Sequence, residues 1–143
     1  MNCKRKKLIL VSGSSADLIS MRSIVKPRYK AYPALSAAKL FDIMENIHPD
    51  LIIIDFDMQG SNAQKAIAKL KADVRYNKIP IIILASEEAH QNVIRECGLF
   101  TADCLVKPII TPMLLLRIEE RLLPLRQESE TYRLMGKIPA WVY

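Results

Sequence analysis

Short continuous apolar runs alternate along this chain with stretches whose apolar residues recur every three or four positions. Leu8–Val11, Leu51–Ile54 and Ile79–Leu84 are unbroken and rich in Ile and Leu, the pattern of strands covered on both faces. Tyr29–Tyr32, crowded by Pro27 and Pro33, and the very short Cys104–Val106 are weaker strand candidates. The segments between them have helical spacing. Leu18, Met21 and Val25 form a stripe that Pro27 ends. Ser36 is placed to cap a helix carrying Ala37, Leu40, Phe41 and Met44 on one face. Ala63, Ala66, Ile67 and Leu70 mark a third helix; Ala89, Val93 and Cys97 mark a fourth, closed by Gly98. A fifth begins at Pro112 and runs through Leu115, Ile118 and Leu122 to just before Pro124.

A strand–helix unit repeated five times argues for a parallel sheet with helices on both faces. The expected fold is a five-stranded, doubly wound α/β domain over residues 5–123, followed by an extension over 124–143. Parallel strands bring their carboxyl ends to one edge, where open α/β sheets place their chemistry. Read off the sequence, that edge holds Ser12–Gly13–Ser14, Asp55–Phe56–Asp57, Ala85–Ser86 and Lys107–Pro108. An aspartate and a lysine, each at the end of an apolar strand, are the chemically loaded pair.

The chain has 143 residues, enough for one domain with a core of its own. No apolar run approaches the roughly 18 residues of a membrane span. MNCKRKK is basic, but LILV is too short for a signal-peptide core. Cys3, Cys97 and Cys104 form no C-x-x-C pair and have no neighbouring histidine, which disfavours a disulfide framework or a zinc site. A cytoplasmic location is expected. The net charge of +6 is uneven: residues 1–40 hold nine Lys or Arg against Asp17 alone, and the remainder is slightly acidic. Lys4–Lys7, Lys26, Arg28 and Lys30, with Tyr29 and Tyr32 among them, should converge on the edge opposite Asp55. A solvated rim is the favoured reading of this charge. No helix-turn-helix or zinc finger accompanies it, so nucleic acid is disfavoured as a partner.

Across nearly the whole α/β segment the sequence resembles the receiver domain of two-component response regulators. PDLIIIDFDMQG is similar to that family's third strand, IPIIILAS (Ile79–Ser86) to its fourth, and GLFTADCLVKPI (Gly98–Ile109) to its Lys-Pro ending. The resemblance implies a flavodoxin-like three-layer sandwich, Asp55 at the phosphoacceptor position, Lys107 at the phosphate-contacting position, and a cis bond before Pro108. It also implies Mg²⁺, which the family holds with an acidic pair after strand one, the phosphoacceptor carboxylate and a backbone carbonyl two residues later. Here the acidic pair is Ser12–Gly13, Asp57 would offer only its carbonyl with its side chain turned away, and one carboxylate remains. The switch positions depart as well: Ala85 stands for a Thr or Ser, and Cys104 for an aromatic. Ser86, one residue along, should face the other way.

The expected function is therefore a receiver-like signalling module acting by protein–protein interaction, with no enzymatic activity and with Mg²⁺-dependent phosphorylation weakened or lost. A conventional phosphoacceptor at Asp55, served by a histidine kinase and a weak Mg²⁺ site, is the first alternative. A small-anion or ligand sensor at Ser12–Ser14 is the second, although a plain tight turn is the favoured reading of that segment. Without metal, Asp55 could simply pair with Lys107. His48 and His90 read as surface residues; Cys97 and Cys104 read as small buried hydrophobes. The fifth helix is too apolar for one buried face. Met113, Leu116 and Leu123, with Trp141 and Tyr143 in the extension, are expected to form a partner surface, as a homodimer through helix four, strand five and helix five or through the tail. Residues 125–135 could extend a helix to a Gly136 cap.

Overall fold

The computed structural model describes residues 5–58, 62–97 and 104–123. Unbroken runs of branched aliphatic residues become strands here because both of their faces find cover. These are β1 (Lys7–Val11), β3 (Leu51–Asp55) and β4 (Ile81–Ala85). The edge strands are β2 (Lys30–Ala34) and the three-residue β5 (Cys104–Val106). All five are parallel, in the order β2-β1-β3-β4-β5, with Val11 beside Ile54 and Asp55 beside Leu84.

Side chains along a strand alternate between faces, which divides the core into two layers. Ile9, Val11, Ile52, Ile54, Ile81 and Ile83 face one way, towards α2 (Ala37–Met44), α3 (Asn62–Ala72) and α4 (Glu87–Cys97). Leu8, Leu10, Leu51, Ile53, Ile82 and Leu84 face the other, towards α1 (Ser15–Val25) and α5 (Thr111–Leu122). The helical stripes read from the sequence are the ones that pack: Leu18, Met21 and Val25 on α1, Leu40 and Met44 on α2, and Ala63, Ala66, Ile67 and Leu70 on α3. The Ser36 hydroxyl caps α2 by accepting from the Lys39 N–H at 3.1 Å. The fold is the expected five-stranded doubly wound α/β sandwich.

Pro33 sits inside β2 without disrupting the sheet. The Lys30 N–H donates to the Lys6 carbonyl at 2.9 Å, and the Ser12 N–H donates to the Ala34 carbonyl at 3.1 Å. In a parallel ladder, bonded groups on one strand alternate in side. Residues 30, 32 and 34 therefore serve β1, while the position that lacks an N–H points to the open edge, where proline is tolerated.

On α5 only Leu114 and Ile118 are fully buried; Met113, Leu116 and Leu123 remain 49%, 52% and 44% exposed. Trp141, Tyr143, Gly136, Gly98 and the side chain of Cys97 lie outside the described residues. No helix among the described residues is long and apolar enough to cross a membrane.

Candidate functional site

Strand β3 is aliphatic until its last residue, and that residue is an aspartate only 5% exposed. A carboxylate buried to this degree must be hydrogen-bonded or paired, and both oxygens of Asp55 are engaged. Oδ1 accepts from the Asp57 backbone N–H at 2.9 Å, closing the tight turn that ends the strand. The same oxygen accepts from the Lys107 ammonium at 2.8 Å. Oδ2 accepts from the Ser12 hydroxyl at 3.1 Å.

Each partner is delivered by the end of a strand. Ser12 follows β1, which lies alongside β3, and is completely buried. Its hydroxyl also accepts from the Ser14 N–H at 3.1 Å, and Ser14 in turn caps α1 by accepting from the Asp17 N–H at 3.2 Å. The Ser12–Ser14 segment thus closes on itself as a tight turn. Lys107 follows β5, and its N–H continues the ladder to the Ala85 carbonyl at 2.8 Å. The Lys107–Pro108 peptide bond is cis, as the family resemblance implied.

Asp57 departs from expectation. Its side chain does not turn away: Oδ2 lies 3.0 Å from the Lys107 ammonium and accepts from the Ser86 N–H at 3.0 Å. The Ser86 hydroxyl donates to Asp57 Oδ1 at 3.3 Å and accepts from the Ala89 N–H at 3.1 Å. Strand alternation failed to place Ser86 because β4 has ended at Ala85. Ser86 is instead the cap of α4, and its backbone is already turning towards the β3 loop. The usable signal was a serine followed by Glu87 and Glu88 at the head of an amphipathic segment.

Lys107 is therefore a bridge between two carboxylates. Its partial burial on its own would lower its pKa, but hydrogen bonds and charge attraction from Asp55 and Asp57 outweigh that and hold it above its ordinary value. Among the other sequence-derived positions, Ala85, the last residue of β4, and Cys104, the first of β5, are buried in the core layer that faces α4. Gly13 lies at the rim, with the nearest atom to a notional Cβ being Met58 Cγ at 4.0 Å. A cavity of about 480 Å³ opens over Asp55, Asp57 and Lys107, bounded by Gly13 and Asp17. A second, of about 280 Å³, reaches the same pair from the α1 side, between Met21, Ile24 and Ile109. Among the described residues, no three His, Cys, Asp or Glu side chains gather as a metal site. His48 is exposed and His90 half-buried, and neither lines the two cavities.

Comparison with curated protein sequences gave no match. Solved structures share the fold. The signal receiver domain of a signal transduction histidine kinase from Syntrophus aciditrophicus is 22% identical with a TM-score of 0.72, covering 82% of this chain and 89% of that one. The N-terminal signal receiver domain of a two-component system response regulator from Bacteroides fragilis is 16% identical with a TM-score of 0.75, covering 85% and 99%. A response regulator receiver domain protein from Clostridium thermocellum is 19% identical with a TM-score of 0.73, covering 87% and 98%. At such identities the likeness speaks for the fold alone. The sequence itself matches the family profile described as the response regulator receiver domain over residues 15–119. The chain belongs to the response regulator receiver domain family of two-component signalling.

Proposed function

We propose that this chain is a receiver module that signals by protein–protein contact, with Mg²⁺-dependent phosphorylation of Asp55 weakened or lost. One observation carries the reading: the Asp55 carboxylate is engaged by a lysine bridge and a neutral serine. Receiver domains bind Mg²⁺ at an acidic phosphorylation site, and Mg²⁺ demands a near-octahedral shell of oxygen ligands. The residues present do not fit that demand. Ser12 and Gly13 bring no charge; of the carboxylates lining the cavity, Asp55 and Asp57 are already joined through the Lys107 ammonium at 2.8 and 3.0 Å, and Asp17 does not complete a metal-binding group of three with them. A cation between them would have to displace Lys107 from Asp57. Ala85, lacking a hydroxyl, and Cys104, lacking an aromatic ring, support a degraded switch.

Contact with a protein is supported by the exposed apolar row of Val106, Ile110, Met113, Leu116 and Leu123, which follows β5 and α5. A histidine kinase, an output protein or a second copy of the chain is the partner class, in the cytoplasm and without enzymatic turnover on an external substrate. The contrary reading, a conventional phosphoacceptor, is favoured by the retained Asp55–Lys107 pair. Incubation with a small phosphodonor and Mg²⁺, beside an Asp55→Asn control, separates the two. The expected result is no Asp55-dependent increase in mass; a stoichiometric phosphoryl adduct would overturn the proposal.

A further inference from the structure

The excess positive charge of the first forty residues acquires a shape in the structure. At the edge opposite Asp55, a cavity of about 450 Å³ is lined by Arg5, Arg22, Lys26 and Lys30, together with Tyr29 and Tyr32. The four cations come from three places: the segment before β1, the last turns of α1 and the first residue of β2. Among the described residues, no carboxylate shares the lining; Glu119 is close enough to Tyr29 to help raise its pKa, behind the larger effect of burial. Both tyrosines are half-buried, packed from below by opposite core layers. Tyr29 stays neutral at physiological pH and adds no negative charge to the cavity.

Simpler causes explain part of this arrangement. Cations near a helix C-terminus complement its dipole, which suits Arg22 and Lys26, and a lysine beside a proline protects an open strand edge, which suits Lys30 and Pro33. The first cause extends to Arg5, which donates from Nη1 at 3.1 Å to the carbonyl of Lys26, the residue that caps α1, and so holds its guanidinium at the cavity. Neither cause requires a concavity of small-molecule size with two aromatic walls. Four like charges around one cavity repel each other until an anion enters. Arginine is suited to gripping phosphate through paired N–H donors, and a tyrosine ring offers a face on which a planar base can stack.

We propose that this cavity binds a nucleoside polyphosphate, its phosphates on the four cations and its base against a tyrosine ring. The site is independent of the chemistry at Asp55.

Isothermal titration of the 143-residue chain with ATP and GTP, each beside inorganic triphosphate, tests the assignment. Saturable binding of a nucleotide at one site per chain is expected, at least tenfold tighter than triphosphate alone. A Lys26→Glu/Lys30→Glu variant, in which both side chains are exposed, should lose at least tenfold in affinity. Lys65→Glu/Lys71→Glu on α3 makes the same change of charge elsewhere and should bind as the parent does; circular dichroism establishes that both variants fold. Absence of binding at millimolar nucleotide, equal affinity for triphosphate, or equal loss in the two variants would each overturn the proposal. So would retention on a single-stranded oligonucleotide, or on phosphoinositide-containing vesicles, that ATP and GTP fail to compete away.

Discussion

Replacing Lys107 with methionine removes the ammonium from the Asp55 bridge while keeping most of the aliphatic stem. Unpairing one partner of a buried ion pair costs about 3–5 kcal/mol when the remaining charge is stranded. Two features of this site reduce that figure. Asp55 keeps two other donors, the Asp57 N–H at 2.9 Å and the Ser12 hydroxyl at 3.1 Å, and hydrogen bonds to a charged group contribute about 1.5–3 kcal/mol each. The Lys107 side chain is also 28% exposed, so water can enter where the ammonium stood. We therefore expect Lys107→Met to destabilise the protein by about 2–3 kcal/mol at neutral pH, just below the range for a fully buried pair. Urea unfolding measures this as a fall in midpoint at unchanged slope. The partner substitution sharpens the test. With Asp55→Asn added, no buried carboxylate is left without its cation, Asp57 being exposed and still bonded to Ser86, and the double variant should recover about 1–2 kcal/mol relative to additivity. A loss below about 0.5 kcal/mol for Lys107→Met, or strict additivity in the cycle, would show that the bridge is only a surface contact.

The pH dependence has a defined sign. Because Lys107 is held above its ordinary pKa in the folded state, its contribution is fully present below that ordinary value and is lost as pH rises through the folded one. Unfolding midpoints of wild type and Lys107→Met should thus be well separated at pH 7 and should converge in the alkaline range; a constant gap would contradict this. Ser12→Asp with Gly13→Asp restores two carboxylates, and the nearest neighbour of a Cβ at position 13 is 4.0 Å away, leaving room for one of them. Mg²⁺ affinity by calorimetry should rise at least tenfold, whereas no change would mean that the missing acids are not what limits the metal. On α5, Leu114→Ala should cost about 2–5 kcal/mol as a cavity in the core, while Leu116→Ala, half exposed, should stay within about 0.5 kcal/mol. Similar losses from the two would refute the assignment of buried and open faces.

The fold was legible because its signals are long-range in pattern but local in cause. Leu51–Ile54 can only be a strand covered on both sides, and Leu18, Met21 and Val25 can only cover a sheet from one face of a helix. The weak candidate around Tyr29–Tyr32 shifted to Lys30–Ala34 and took in Pro33, since an open edge accepts a residue that an inner strand would reject. At the site, Asp55 and Lys107 were legible because strand ends are predictable. Asp57 and Ser86 were misplaced because both lie just past a strand, where alternation no longer governs direction and one hydrogen bond decides it. Ser12 was counted as an absent acid, and the sequence offered no way to see that its hydroxyl would take a position on Asp55.

The ladder bond from the Lys107 N–H to the Ala85 carbonyl fixes where the lysine stem begins. The positive charge beside Asp55 is therefore part of the covalent chain. A dissolved ion occupies a site in proportion to its concentration and can be withdrawn by a chelator, whereas a tethered ammonium is present at a fixed local concentration in every folded molecule. The lysine's share of the charge in this crevice therefore follows the folding equilibrium of the protein and not the concentration of any dissolved ion.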